Sequence, residues 1–129
     1  YITPEEDEWE EAGIPVGNIV SISARAFALI LRRNPQLQCV DVRRKNEYEQ
    51  AHLTGVINIP LNYLSKNYGQ LDPEKPLYVH CAGGYRSVIA ISLLKRLGFR
   101  QLINIAGGFA ALSHTDLEIE KNQVALIDI

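Results

Sequence analysis

The stretch LYVHCAGGYRS, residues 77–87, decides the fold of this chain. Residues 77–81 have strand propensity and end at Cys81, two adjacent glycines follow at Gly83 and Gly84, and residues 87–97 carry apolar side chains at helical spacing. In α/β sheets, ligands gather where a strand ends and a helix begins, because the helix start offers unpaired N–H groups and a positive dipole end. The stretch therefore predicts a strand, a tight loop and a helix, with a cysteine at the junction.

The loop after Cys81 is predicted to cradle an anion or a sulfur atom. Adjacent glycines permit backbone angles that turn successive N–H groups inward. Together with the helix dipole and Arg86, such a ring stabilises a thiolate without a histidine base. We therefore expect Cys81 to be a nucleophile, against the alternative of a buried thiol that only packs.

Strands and helices alternate on both sides of this stretch. The alternation favours a parallel sheet with helices on both faces. Residues 116–129 alternate apolar and polar side chains and could supply an edge strand. The predicted strands are residues 19–22, 37–42, 56–60 and 102–105, and the predicted helices are residues 24–33 with Ser23 as N-cap, 45–51, 61–71 and 107–112.

Composition predicts one globular domain and narrows its partners. The chain has 129 residues, and 13 Lys and Arg against 15 Asp and Glu leave a formal charge of -2. This balance favours neither nucleic acid nor an anionic membrane as a partner, and no apolar run is long enough to span a bilayer. Two cysteines and three scattered histidines show no metal-ligand spacing. We expect a cytoplasmic protein without a metal or another cofactor.

Three segments, in order, resemble the rhodanese family of sulfurtransferases. Residues 41–60, DVRRKNEYEQAHLTGVINIP, are similar to the first family signature, residues 81–87 to the active-site loop, and Gly107-Gly108-Phe109 to the closing motif. The resemblance covers about residues 18–112. It implies a five-stranded, mostly parallel sheet in which Cys81 accepts a sulfane sulfur as a persulfide. The sulfur would come from thiosulfate or a low-molecular-weight persulfide and pass to a thiol acceptor.

The resemblance also assigns roles around Cys81. Arg86 takes the position of a basic residue that binds an anionic donor or acceptor, and Ser87 that of a hydroxyl residue that caps the helix. Asp41 and Arg43 are expected to form a buried ion pair that fixes loops near the site. The implied substrate-binding residues are Ala82, Gly83, Gly84, Tyr85, Arg86 and Ser87.

Several positions depart from the family pattern. Ala82 stands where many thiosulfate-using members have arginine, which weakens the case for thiosulfate and leaves persulfide transfer intact. Ala51 stands where a glycine is common, and Ala111 and Leu112 where a tryptophan usually follows the closing motif.

Two other functions remain open. One is a non-catalytic module that uses the rhodanese fold to bind or regulate a partner. The other is a phosphatase, but phosphatase-like relatives place arginine six positions after the cysteine, and here Arg86 is five positions after Cys81. Cys39 is expected to be an inert core thiol, and His80 to point away from Cys81, because consecutive strand residues face opposite sides.

The expected domain organisation has three parts. Residues 1–17 are a linker or the end of a preceding module, residues 18–115 the rhodanese-like domain, and residues 116–129 a C-terminal tail. The chain has no methionine and begins at Tyr1, so we expect a piece of a longer polypeptide. Residues 9–16 resemble the end of another rhodanese domain, and fusions behind a metallo-β-lactamase-fold persulfide dioxygenase carry similar loops.

Overall fold

The computed structural model describes residues 19–83 and 85–121. Predictions for residues 1–17, Gly84 and residues 122–129 lie outside these ranges. The strands are β1 (Val20–Ser23), β2 (Gln38–Asp41), β3 (Ala51–Leu53), β4 (Ile57–Asn58), β5 (Leu77–His80), β6 (Leu102–Ala106) and β7 (Ile119–Lys121). The α-helices are α1 (Ala24–Arg33), α2 (Lys45–Gln50), α3 (Leu64–Asn67), α4 (Tyr85–Arg96) and α5 (Gly108–Leu112).

Five of the strands form a parallel sheet in the order β1-β6-β5-β2-β4. The register places Asp41 of β2 beside His80 of β5, and Asn104 of β6 beside Val79 of β5. Because parallel strands all end at the same edge, the residues that follow β2, β5 and β6 meet there. The predicted α/β class and five-stranded parallel sheet are confirmed.

The core lies on both faces of this sheet. Val79 and Cys81 pack on the face covered by α3 and α4, together with Leu94. Cys39 packs on the opposite face against α1 and α5, together with Phe27. Successive strand residues alternate between the two faces, so the apolar strands contribute side chains to the core on each face of the sheet. Each large apolar side chain that is fully buried stabilises the fold by roughly 1.5–3 kcal/mol.

The helix ends show where sequence patterns succeed and fail. Ser23 caps α1 as predicted, because its Oγ accepts a 3.0 Å hydrogen bond from the amide of Ala26. The prediction that Ser87 caps the next helix is wrong, since α4 begins at Tyr85 and Ser87 lies inside its first turn. The Ser87 side chain is buried, and its Oγ donates a hydrogen bond to Asn104 of β6.

Short elements also differ from expectation. The strand predicted at residues 56–60 narrows to Ile57–Asn58, just before Pro60, which has no N–H for a ladder. The helix predicted at residues 61–71 is a series of turns: Leu61–Tyr63 and Tyr68–Gln70 are 3-10 turns on either side of α3. The tail strand β7 pairs antiparallel with β3 in a separate sheet. No helix in residues 19–83 or 85–121 is long and apolar enough to cross a membrane.

Candidate active site

Cys81 follows directly after β5 at the edge of the sheet where the strands end. Its side chain has no exposed surface and packs on the α4 face of the sheet. Its Sγ lies 3.7 Å from Ser87 Oγ in the first turn of α4, as a weak S–H donor to the hydroxyl. The strand, the loop and the helix predicted from the sequence thus bring the thiol to the start of α4.

The backbone of the loop is held by α5. The amide of Phe109 donates a 2.6 Å hydrogen bond to the carbonyl of Cys81, and the amide of Ala110 a 3.1 Å bond to that of Ala82. In a trans peptide the C=O and the next N–H point in opposite directions. The N–H groups of Ala82 and Gly83 are therefore both directed away from α5. Two successive amides on one side of the chain are the start of an anion-binding nest.

Gly108 makes this close contact between the loop and α5 possible. Its φ is +55°, and a Cβ built on it would lie 2.2 Å from the carbonyl oxygen of Cys81 and 2.9 Å from that of Ala82. No side chain fits in that space. The closing motif at residues 107–109 therefore has a structural task, which is to let α5 approach the backbone beside the cysteine.

A chain of hydrogen bonds leads from Cys81 across the sheet to β1. Ser87 Oγ donates to Asn104 Oδ1 at 2.5 Å, and Asn104 Nδ2 donates to Ser21 Oγ at 2.8 Å. Asn104 is 6% exposed and lies in the interior strand β6, between β1 and β5. A buried amide side chain needs hydrogen-bond partners, and Asn104 finds them in Ser87 and Ser21. Asn104 therefore ties Ser87 to the sheet. Sequence reasoning missed Asn104, although a polar residue inside the apolar run of residues 102–105 was the available signal.

Arg86 forms an ion pair with Glu47 of α2. Its Nη1 lies 2.8 Å from Oε1 and its Nη2 3.1 Å from Oε2, a bidentate arrangement between partly exposed side chains. The hydrogen bonds from Arg86 lower the pKa of Glu47 to about 2, and the same bonds raise the pKa of Arg86. Glu47 was not predicted from the sequence. The only signal was its place three residues after Arg44, in the capping position of α2.

Asp41 and Arg43 form a buried ion pair beneath the loop, the arrangement expected from the sequence. Arg43 Nε lies 3.0 Å from both carboxylate oxygens, and Nη2 lies 2.8 Å from Oδ2 and 2.7 Å from the carbonyl of Ala51. The guanidinium also stacks 4.1 Å from the centre of the Phe109 ring. Arg43 thus ties β2 and the start of β3 to α5, the helix that holds the loop.

His80 belongs to this cluster and not to the thiol. Its Nδ1 lies 3.3 Å from the backbone carbonyl oxygen of Cys81, its Nε2 lies 3.8 Å from Asp41 Oδ2, and its ring stacks with that of Phe109. Burial is the largest influence and lowers the pKa of His80, outweighing the nearby Asp41 carboxylate. His80 is therefore neutral near pH 7.

The remaining predicted site residues differ in exposure. Tyr85, the first residue of α4, is 53% exposed. Ala82 is half-buried and Gly83 exposed. Burial raises the pKa of Cys39, consistent with a packing role. In the described residues, no three His, Cys, Asp or Glu side chains are grouped to hold a metal ion.

The fold and this junction define an α/β domain with a cysteine at a strand end. The family model of the rhodanese-like domain matches residues 23–115, so the chain belongs to that family. A crystal structure of a rhodanese-like domain protein from Staphylococcus aureus superimposes with a TM-score of 0.72 at 27% identity, covering 80% of this chain and 100% of that one.

Two of the curated relatives have names that refer to sulfur transfer. The chain is 34% identical over 99 residues to the Bacillus subtilis "Putative sulfur carrier protein YrkF", covering 77% of this chain and 54% of that protein. It is 35% identical over 75 residues to the thiosulfate sulfurtransferase GlpE of Shewanella oneidensis, covering 58% of this chain and 74% of that protein. The chain spans about half the length of this Bacillus subtilis relative and of a second one, the "Uncharacterized protein YqhL".

Proposed function

We propose that this domain is a sulfurtransferase in which Cys81 carries a sulfane sulfur between a small donor and a thiol acceptor. The observation that carries the proposal is the backbone arrangement at Cys81: α5 holds the carbonyls of Cys81 and Ala82, which directs the amides of Ala82 and Gly83 to the other side. The names of the relatives support the same chemistry.

The reaction proceeds in two displacement steps. The Cys81 thiolate attacks the outer sulfur of the donor; a new S–S bond forms, the donor S–S bond breaks, and its electron pair leaves with sulfite from thiosulfate or with a thiolate from a persulfide. An acceptor thiolate then attacks the outer sulfur of the Cys81 persulfide. This step forms the acceptor persulfide and returns the Cys81 thiolate, with no net oxidant or reductant.

The loop supplies binding and electrostatic stabilisation in this proposal. The N–H groups of Ala82 and Gly83, which are directed away from α5, would bind the thiolate before attack and the terminal persulfide anion after it. The Cys81 side chain has no exposed surface, so neighbouring residues must shift before a donor reaches it. The substrate-binding set is Ala82, Gly83, Gly84, Tyr85, Arg86 and Ser87.

Intact-mass measurement tests the proposal. The protein is incubated with thiosulfate or with glutathione persulfide, and a gain of about one sulfur atom per chain is expected. Cys81→Ser removes the nucleophile and should abolish the gain. Cys39→Ser is the matched control and should retain it, because Cys39 is a core thiol on the other face of the sheet.

The same experiment decides between the proposal and a non-catalytic interaction module. If the folded wild-type protein gains no sulfur from either donor, the domain is not a sulfurtransferase. If Cys81→Ser gains sulfur as the wild type does, the assigned nucleophile is wrong.

A further inference from the structure

We propose that Glu47 determines which sulfur donors the site accepts, by occupying Arg86 and so disfavouring a dianion such as thiosulfate relative to an organic persulfide. The inference rests on the proposed function, because it concerns the donor used in the first displacement step. It assigns to Glu47 a role in specificity and not in the chemistry itself.

The geometry of the pair carries this inference. Arg86 is the only cation within residues 81–87, and it lies on the first turn of α4, next to the loop. Both terminal nitrogens of its guanidinium already bond to Glu47, in the fork arrangement that a bound anion would use. An anionic donor must therefore displace the carboxylate, share the guanidinium with it or bind without this arginine.

Glu47 is held in place independently of Arg86. Its Oε1 also accepts a 3.0 Å hydrogen bond from the amide of Arg44 at the start of α2. Because its pKa is lowered to about 2, the carboxylate stays ionised over the whole range in which thiolates react. The Glu47 carboxylate, which competes with an anionic donor for Arg86, is thus fixed in position and charged.

Charge then separates the two classes of donor. Thiosulfate brings two negative charges next to the sulfur that is transferred, and it would meet a guanidinium that Glu47 has neutralised. A protonated organic persulfide, RSSH, has no charge at its reacting sulfur, so it loses little when Arg86 is occupied. The uncharged Ala82, at the position after Cys81, adds no second cation to favour thiosulfate.

Single-turnover sulfur loading tests this role. The rate of sulfur gain is measured against the concentration of thiosulfate and, separately, of glutathione persulfide, in wild type, Glu47→Gln and Glu47→Asp. Glu47→Gln should lower the half-saturating thiosulfate concentration by about five- to tenfold, since a neutral amide competes less well for the guanidinium. The persulfide value should change by less than about twofold. Glu47→Asp keeps the charge but is one methylene shorter, and a smaller shift in the same direction is expected.

Glu49→Gln provides the matched control, because it removes a negative charge from an exposed position on the same helix. Glu49→Gln should change neither the half-saturating concentration of thiosulfate nor that of glutathione persulfide. The inference is overturned if the folded Glu47 variants leave the thiosulfate value unchanged, or if they shift the values for both donors equally. Failure of wild type and variants alike to gain sulfur from either donor would instead overturn the proposed function.

Discussion

The amide of Phe109 and the carbonyl of Cys81 are joined by a 2.6 Å hydrogen bond, although the two residues are 28 positions apart in the sequence. The bond makes the backbone of α5 part of the candidate active site. The orientation of the loop amides depends on this backbone contact, which in turn depends on Gly108.

Gly108→Ala should disrupt the loop. The added Cβ would lie 2.2 Å from the Cys81 carbonyl oxygen, and alanine must also adopt a left-handed conformation at φ +55°. We expect a loss of about 2–5 kcal/mol in the free energy of unfolding, measured in urea, and a strongly reduced rate of sulfur loading. Gly69→Ala is the control, because its Cβ would meet no atom within 4 Å. Equal stability of the two variants would contradict the argument.

Ser87→Ala and Ser92→Ala remove the same hydroxyl from one helix in different surroundings. Ser87 Oγ donates to buried Asn104, whose carbonyl would lose that bond, so we expect a loss of about 1–3 kcal/mol. Ser92 Oγ is buried and has no hydrogen-bond partner among the described residues, so its removal should be neutral or stabilising. Urea unfolding of both variants measures the difference. A greater loss in Ser92→Ala would show that the hydrogen-bond chain does not stabilise the fold.

His80 should make the domain less stable in mild acid. Burial lowers the pKa of His80 in the folded state from its ordinary value of 6.5. Below pH 6.5 the unfolded chain therefore binds a proton that the folded chain does not, and stability falls as the pH decreases toward the folded pKa. His80→Gln should flatten this part of a curve of unfolding free energy against pH. The exposed His114→Gln is the control, and parallel curves for wild type and His80→Gln would refute the assignment.

Arg43→Lys should weaken the cluster beneath the loop. Lysine cannot make the bidentate contact with Asp41 while also reaching the Ala51 carbonyl, and it leaves a buried carboxylate poorly paired. We expect a loss of about 2–4 kcal/mol in unfolding free energy. Arg44→Lys, at the exposed neighbouring residue, should change stability by less than about 0.5 kcal/mol. A similar loss in both variants would argue against a special role for Arg43.

Much of this architecture could be predicted from the sequence because the signals are local. The strand ending near Cys81, the cap at Ser23 and the short helix after Gly107 each follow from neighbouring residues. The pairing of Arg86 with Glu47 could not be predicted in this way, because it joins residues 39 positions apart. Asn104 and the pairing of β3 with β7 were missed for the same reason: tertiary packing, and not local propensity, selects these partners.

The two cysteines lie on opposite sides of the sheet, Cys81 toward α4 and Cys39 toward α1 and α5. No second thiol of this chain is therefore positioned to resolve a sulfur adduct on Cys81 through an internal disulfide. A persulfide on Cys81 would therefore remain until a thiol from outside this domain reacts with it. The rate at which the sulfur leaves Cys81 would then depend on the concentration of the acceptor thiol. In this way the domain would store sulfane sulfur as well as transfer it.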